Sequence, residues 1–119
     1  MQSKIPDSKI AANRAITFSQ EGSDLNSRFA AAIAGALVNA ADGRMPEAVR
    51  TLENVRGDAS RHGYAGFEFE SRLNLGELEL RSGKANAGRA RLQQLQTDAR
   101  NKGFLLIARK ANAALNYER

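Results

Sequence analysis

Apolar residues recur along most of this chain at the three- and four-residue spacings of a helix that buries one face. After Gly83, for example, the small or apolar positions are Gly88, Leu92, Leu95 and Ala99, with polar residues between them. No stretch shows the sustained alternation of apolar and polar residues, rich in β-branched side chains, that is typical of a strand. The pattern therefore predicts an all-α protein.

The helical pattern repeats after about 40 residues. A shift of this size places Gly83 on Gly43 and Leu92 on Leu52, and it aligns Gly103-Phe104 with Gly63-Tyr64. A fixed period in this range is typical of stacked helical hairpins. We therefore expect a single domain over residues 1–119 with about six helices: the second helix of a partial repeat at 6–22, repeats at 24–62 and 64–102, and a terminal helix at 104–118.

Local signals mark several helix ends. Ser23 or Asp24 can cap the helix that stops at Gly43, and Pro46 suits the first turn of the next helix. The first of these two helices is apolar on nearly all sides, so we expect neighbours to bury it. The terminal helix has one polar face, as expected of a helix that closes a stack, formed by Arg109, Lys110, Asn112 and Asn116.

The helix that follows Tyr64 has two apolar stripes, which predict two packing partners. One stripe contains Phe69, Leu73, Gly76 and Leu80, and the other contains Leu75 and Leu78. Glycine inside a helix costs about 1 kcal/mol relative to alanine. Gly76 and Gly88 therefore mark places where we expect two helix backbones to approach too closely for a side chain.

These positions resemble the tetratricopeptide repeat family. The matching residues are Leu75, Gly76, Gly83, Gly88, Leu92 and Leu95, and the first copy has Ala36, Gly43, Ala48, Leu52 and Val55. The period of about 40 exceeds the family's 34 residues, and the closing proline is absent, so the chain is better described as tetratricopeptide-like. The resemblance implies a right-handed superhelical stack of antiparallel helix hairpins. The glycine–aromatic endings are also similar to C-terminal repeat regions of large bacterial signalling proteins.

Composition is that of a globular protein, with 42% hydrophobic and 26% charged residues. No apolar run is long enough to cross a membrane, and no apolar segment of a secretory signal follows Met1. The absence of cysteine is compatible with a reducing compartment. We therefore expect a cytoplasmic protein with no membrane partner.

The formal net charge of +5 is concentrated in the C-terminal third. Basic residues there outnumber acidic ones, and four of them form a candidate patch for nucleic acid or another anionic surface: Arg89, Arg91, Arg100 and Lys102. Aromatic residues that could stack on bases are few in this region. We therefore keep this patch as the alternative, and do not expect nucleic acid to be the main partner.

Nothing in the sequence indicates catalysis, a metal or a cofactor. His62 is the single histidine, and its repeat equivalent is Lys102, so we interpret both as cations at the negative end of a helix. Neither a nucleophile elbow nor a phosphate-binding glycine loop is present. We expect a protein that binds and is not an enzyme.

The resemblance implies that the first helix of each hairpin lines a concave side of the stack. The middle one would present Glu70, Leu73, Glu77 and Arg81 to a protein or peptide of unknown identity. A third possibility is a homodimer formed through the N-terminal helix around Ile10 and Phe18.

Overall fold

The computed structural model of this chain describes residues 24–117. Within this range lie five α-helices and no strand: α1 (Leu25–Ala41), α2 (Met45–Arg61), α3 (Ala65–Arg81), α4 (Ala85–Asn101) and α5 (Leu105–Tyr117). The prediction of an all-α fold is confirmed. The sixth helix predicted at 6–22, and Ser23 as a helix cap, fall outside the described residues.

The helices start at regular intervals along the chain. Their first residues are 25, 45, 65, 85 and 105, each 20 residues after the one before, and the first four helices are each 17 residues long. The period of 40 seen in the sequence is therefore two equal steps, one for each helix of a hairpin.

The four turns between the helices share one backbone geometry. Each has a glycine in the left-handed region, with φ of 84° at Gly43, 77° at Gly63, 86° at Gly83 and 83° at Gly103. In the last turn the N–H of Phe104 donates to the carbonyl of Ala99 at 2.8 Å, and the N–H of Gly103 donates to that of Arg100 at 3.1 Å. This Schellman pattern satisfies carbonyls at the helix end, and it reverses the chain within three residues.

The described residues up to Val55 belong to one compact unit, and those from Arg56 onward to a second, with the boundary inside α2. In the first unit Asp24 caps α1, and its carboxylate accepts a hydrogen bond from the backbone N–H of Ser27 at 2.6 Å. This bond also lowers the pKa of Asp24. Asp24 is therefore confirmed as a cap. The buried apolar residues are Phe29, Ile33 and Ala36 in α1 and Ala48, Leu52 and Val55 in α2.

One expectation for α1 is wrong. The helix is not buried on nearly all sides, because Ala30, Ala34 and Leu37 lie at helical spacing on an exposed stripe, and Leu37 is 42% exposed. The expectation rested on the high apolar content of α1, much of which is alanine. Alanine is small enough to remain exposed at little cost, so the content alone does not show that every side is covered.

The second unit is built on α3, α4 and α5, which pack against one another. Both predicted stripes of α3 are largely buried, and the ring of Phe104 stands edge-on to the ring of Phe69 with 5.2 Å between centroids. The main core cluster takes residues from all three helices: Phe69, Leu73, Leu92, Leu95, Ala99, Ala108 and Ala111.

Helices α3 and α4 approach each other closely at Gly76 and Gly88. A Cβ atom built on Gly88 would lie 2.8 Å from the carbonyl oxygen of Gly76 and 2.9 Å from the backbone nitrogen of Leu80. A Cβ on Gly76 would lie 2.6 Å from the side chain of Leu92. The predicted close approach of two backbones at these glycines is confirmed.

Helix α5 has the polar face that the sequence predicts, because Arg109, Lys110, Asn112 and Asn116 are all exposed. Two leucines of α5 are exposed as well, Leu105 by 54% and Leu106 by 62%. The outward side of α5 is therefore both cationic and apolar.

Candidate interaction surfaces

An open groove of about 470 Å³ runs between α3 and α5. In the 40-residue repeat of the sequence, α5 is the equivalent of α3. The groove is lined by Glu77, Leu80, Arg81, Lys110, Ala113, Ala114 and Tyr117. We call this feature the α3–α5 groove.

Two of the four predicted partner-binding residues, Glu77 and Arg81, line the α3–α5 groove. Glu70 is exposed on α3 but does not line it. Leu73 is buried in the core cluster because α4 and α5 cover that side of α3. The structure therefore brings part of the predicted set together at one place.

The α5 side of the groove was missed from the sequence, although the repeat contains the signal. A shift of 40 residues carries Glu70 onto Lys110, Leu73 onto Ala113 and Glu77 onto Tyr117. Applying the repeat to the predicted site residues, and not only to the core positions, would have identified these three lining residues.

Charge in the α3–α5 groove centres on Glu77, whose side chain is half-buried. Burial raises the pKa of this carboxyl, while the positive charges of Arg81 and Lys110 act in the opposite direction. Both cations are exposed. The groove therefore combines one partly desolvated acid with two accessible cations and apolar walls.

The candidate basic patch is divided by the fold. Arg91 donates from Nε and Nη2 to the two carboxylate oxygens of Glu79 of α3, at 2.9 and 3.1 Å. Arg89 is only partly exposed. Arg100 and Lys102 are exposed. Arg100 also joins Arg109 in a second, smaller hollow of about 220 Å³ between α4 and α5.

A second ion pair joins α3 to α4. The Nη2 of Arg72 donates to Oδ2 of Asp98 at 2.7 Å, and its Nη1 lies 3.6 Å from Oε2 of Glu68. The central carbon of the same guanidinium lies 5.4 Å from the centre of the Phe69 ring. The hydrogen bond from Arg72 lowers the pKa of Asp98. Together with the Arg91–Glu79 pair, this bridge fixes how α3, one wall of the groove, is held against α4.

Among residues 24–117, no group of three or more His, Asp or Glu side chains is placed to hold a metal ion. His62 is exposed just after the end of α2. In the same part of the chain, no helix is long and apolar enough to cross a membrane.

Fold and surfaces together define an all-α protein of packed helices with an open, charged groove. Comparisons of the chain with models of known protein families, with curated proteins and with solved structures found no match.

Proposed function

We propose that this protein is a non-catalytic interaction module that binds a peptide or a neighbouring domain in the α3–α5 groove. In this proposal the helices form the tetratricopeptide-like, right-handed stack, and the groove is part of its concave side. The observation that carries the proposal is the groove itself, in which Glu77, Arg81 and Lys110 surround apolar walls.

The groove's size and chemistry suit a peptide side chain or a short helical segment. Its volume lies within the range of about 300–1,000 Å³ that is common for ligand sites. Ala113 and Ala114 are small and allow close approach, and Tyr117, which is 88% exposed, offers an aromatic ring to a partner. The three charged groups supply direction and specificity.

A substitution that fills the groove tests this proposal. Ala113 is exposed, so Ala113→Trp adds bulk to the groove wall without entering the core. Peptides selected from a random library on the native protein should bind the variant at least about tenfold more weakly, since they lose the contact area of the wall. Fluorescence anisotropy measures the affinity.

The matched control is Ala90→Trp, which makes the same exchange at an exposed position of α4. It should leave the affinity unchanged. Circular dichroism checks that both proteins are folded. If Ala113→Trp then binds the peptides as tightly as the native protein does, the partner uses another surface.

The basic C-terminal third remains an alternative for nucleic acid or another anionic surface, favoured by the exposure of Arg100, Lys102 and Arg109. The logarithm of the binding constant for such a partner falls steeply and linearly with the logarithm of the salt concentration, because counterions are released. A titration of single-stranded and duplex oligonucleotides over a range of salt decides this, and a flat response argues against it. The homodimer predicted through Ile10 and Phe18 concerns residues outside the described range, so it stays a prediction.

A further inference from the structure

The exposed side of α5 consists of two stripes at helical spacing. One contains Leu106, Lys110, Ala113 and Tyr117, of which the last three line the α3–α5 groove. The other contains Leu105, Arg109, Asn112 and Asn116, none of which lines that groove. We call this second set the outer stripe of α5.

The repeat shows what the outer stripe corresponds to in the preceding hairpin. A shift of 40 residues places Arg109 on Phe69, Asn112 on Arg72 and Asn116 on Gly76. In α3, Arg72 pairs with Asp98 of α4, Gly76 lies against the side chain of Leu92 of α4, and Phe69 packs in the core cluster with residues of α4 and α5. The outer stripe is therefore the face on which a helix packs in the equivalent place.

The charge of the outer stripe restricts the helix that can pack there. Helix α5 carries Arg109 and Lys110 and no acidic residue. Arg100 of α4 lies beside Arg109 in the 220 Å³ hollow, where Leu105 and Asn112 also contribute to the lining. Two copies of α5 would repel each other, whereas an acidic side chain would be attracted to both guanidinium groups.

Shape adds a second restriction. Asn116 occupies the place of Gly76, so a helix on α5 cannot approach with a leucine as α4 does with Leu92. A small residue fits at that point. At the other end, the exposed side chain of Leu105 offers apolar contact.

We infer that the outer stripe of α5 binds an acidic amphipathic helix of a partner protein. One or more Asp or Glu side chains of that helix enter the hollow between Arg100 and Arg109, and an alanine or glycine faces Asn116. This inference does not rest on the α3–α5 groove, since Arg109 lies outside it.

The test uses a probe derived from α4, the helix that covers the equivalent face of α3. The acidic probe has the sequence of residues 85–101 with Arg89→Glu, Arg91→Glu, Arg100→Glu and Leu92→Ala. The control probe carries Leu92→Ala alone and keeps its arginines. Fluorescence anisotropy should show the acidic probe binding the native protein at least about tenfold more tightly than the control probe, since unlike charges meet.

Variants of the protein locate the binding. Arg109→Glu and, separately, Arg100→Glu should each remove the preference for the acidic probe. Arg50→Glu, an equal charge change at an exposed position of α2, should retain it. Both arginines of the hollow are accessible, and circular dichroism confirms that each variant is folded.

Several results would overturn the inference. The first is failure of the acidic probe to bind the native protein. The second is that Arg50→Glu loses the preference for the acidic probe as fully as Arg109→Glu does. The third is a dimer, detected by sedimentation, that Arg109→Glu dissociates. Binding of oligonucleotides, or of vesicles containing phosphatidylserine, without any binding of the acidic probe would likewise assign the outer stripe to another class of partner.

Discussion

At the scale of single residues, Ser71 is the least expected feature. It is fully buried in α3, and its hydroxyl has no hydrogen-bond partner in the structure. The repeat places Ala31 and Ala111 at the equivalent positions of α1 and α5. An unsatisfied buried hydroxyl is unfavourable because water is lost and nothing replaces it.

We therefore predict that Ser71→Ala stabilises the protein. The free energy of unfolding in urea should rise by about 1–2 kcal/mol, since the desolvated hydroxyl is removed and its neighbours keep their contacts. Ser60→Ala, at an exposed position of α2, is the control for the change in helix propensity. A gain no larger than that of the control would mean that the hydroxyl is satisfied in solution.

Glu77 gives a pH-dependent prediction at the same scale. Its pKa is raised in the folded protein by burial, so the folded state disfavours the ionised carboxylate. The resulting loss of stability is absent at acidic pH and develops as the pH rises through the ordinary carboxyl range toward the raised value.

Replacing the carboxyl with an amide should remove this dependence. Glu77→Gln should have a higher free energy of unfolding than the native protein at neutral pH. This difference should shrink as the pH is lowered through the range in which carboxyl groups become protonated. Urea unfolding at a series of pH values measures it, with Glu70→Gln on the exposed part of α3 as the control. A constant difference at all pH values would contradict the burial argument.

At the scale of elements, the crossing of α3 and α4 is set by two glycines and two ion pairs. The glycines bring the backbones together, and the Arg72–Asp98 and Arg91–Glu79 pairs hold the helices across the junction. The sequence identified the glycines because glycine is unfavourable inside a helix, and a close approach of backbones explains why it is kept there. It did not identify the ion pairs, because their partners are 26 and 12 residues apart and no local spacing connects them.

We predict opposite effects for two glycine-to-alanine changes. Gly57→Ala in α2 should stabilise the protein by about 0.5–1 kcal/mol through helix propensity, because the nearest atom to an added Cβ is the end of Arg61 at 3.5 Å. Gly88→Ala should destabilise it by about 1–3 kcal/mol, as expected of overpacking. The added atom would press on the backbone of α3.

Thermal unfolding followed by circular dichroism distinguishes these outcomes. A rise in melting temperature for Gly57→Ala with a fall for Gly88→Ala is the expected result. Stabilisation by Gly88→Ala would mean that the two helices can separate at little cost, contrary to the close crossing described.

At the scale of the whole molecule, local signals predicted the helices well and surface features poorly. The turn glycines and the positions Ala48, Leu52 and Val55 are defined within a few residues, and all three of those α2 positions are buried. The exposure of Leu105 and Leu106 depends on which sides of α5 its neighbours cover, and no spacing along α5 contains that information. Only the α3 half of the groove was predicted, because the 40-residue shift was applied to the core positions and not to the predicted site residues.

The common step of the helices has a consequence for how such a chain can change length. Because each of α2 to α5 begins 20 residues after the helix before it, and the four described turns have the same glycine geometry, a tandem duplication of 40 residues inserts a complete hairpin with both joints already formed. A duplication of 20 residues also keeps the turns, but it breaks the 40-residue pattern of apolar positions. Whole hairpins are therefore the unit by which we expect this chain to lengthen or shorten.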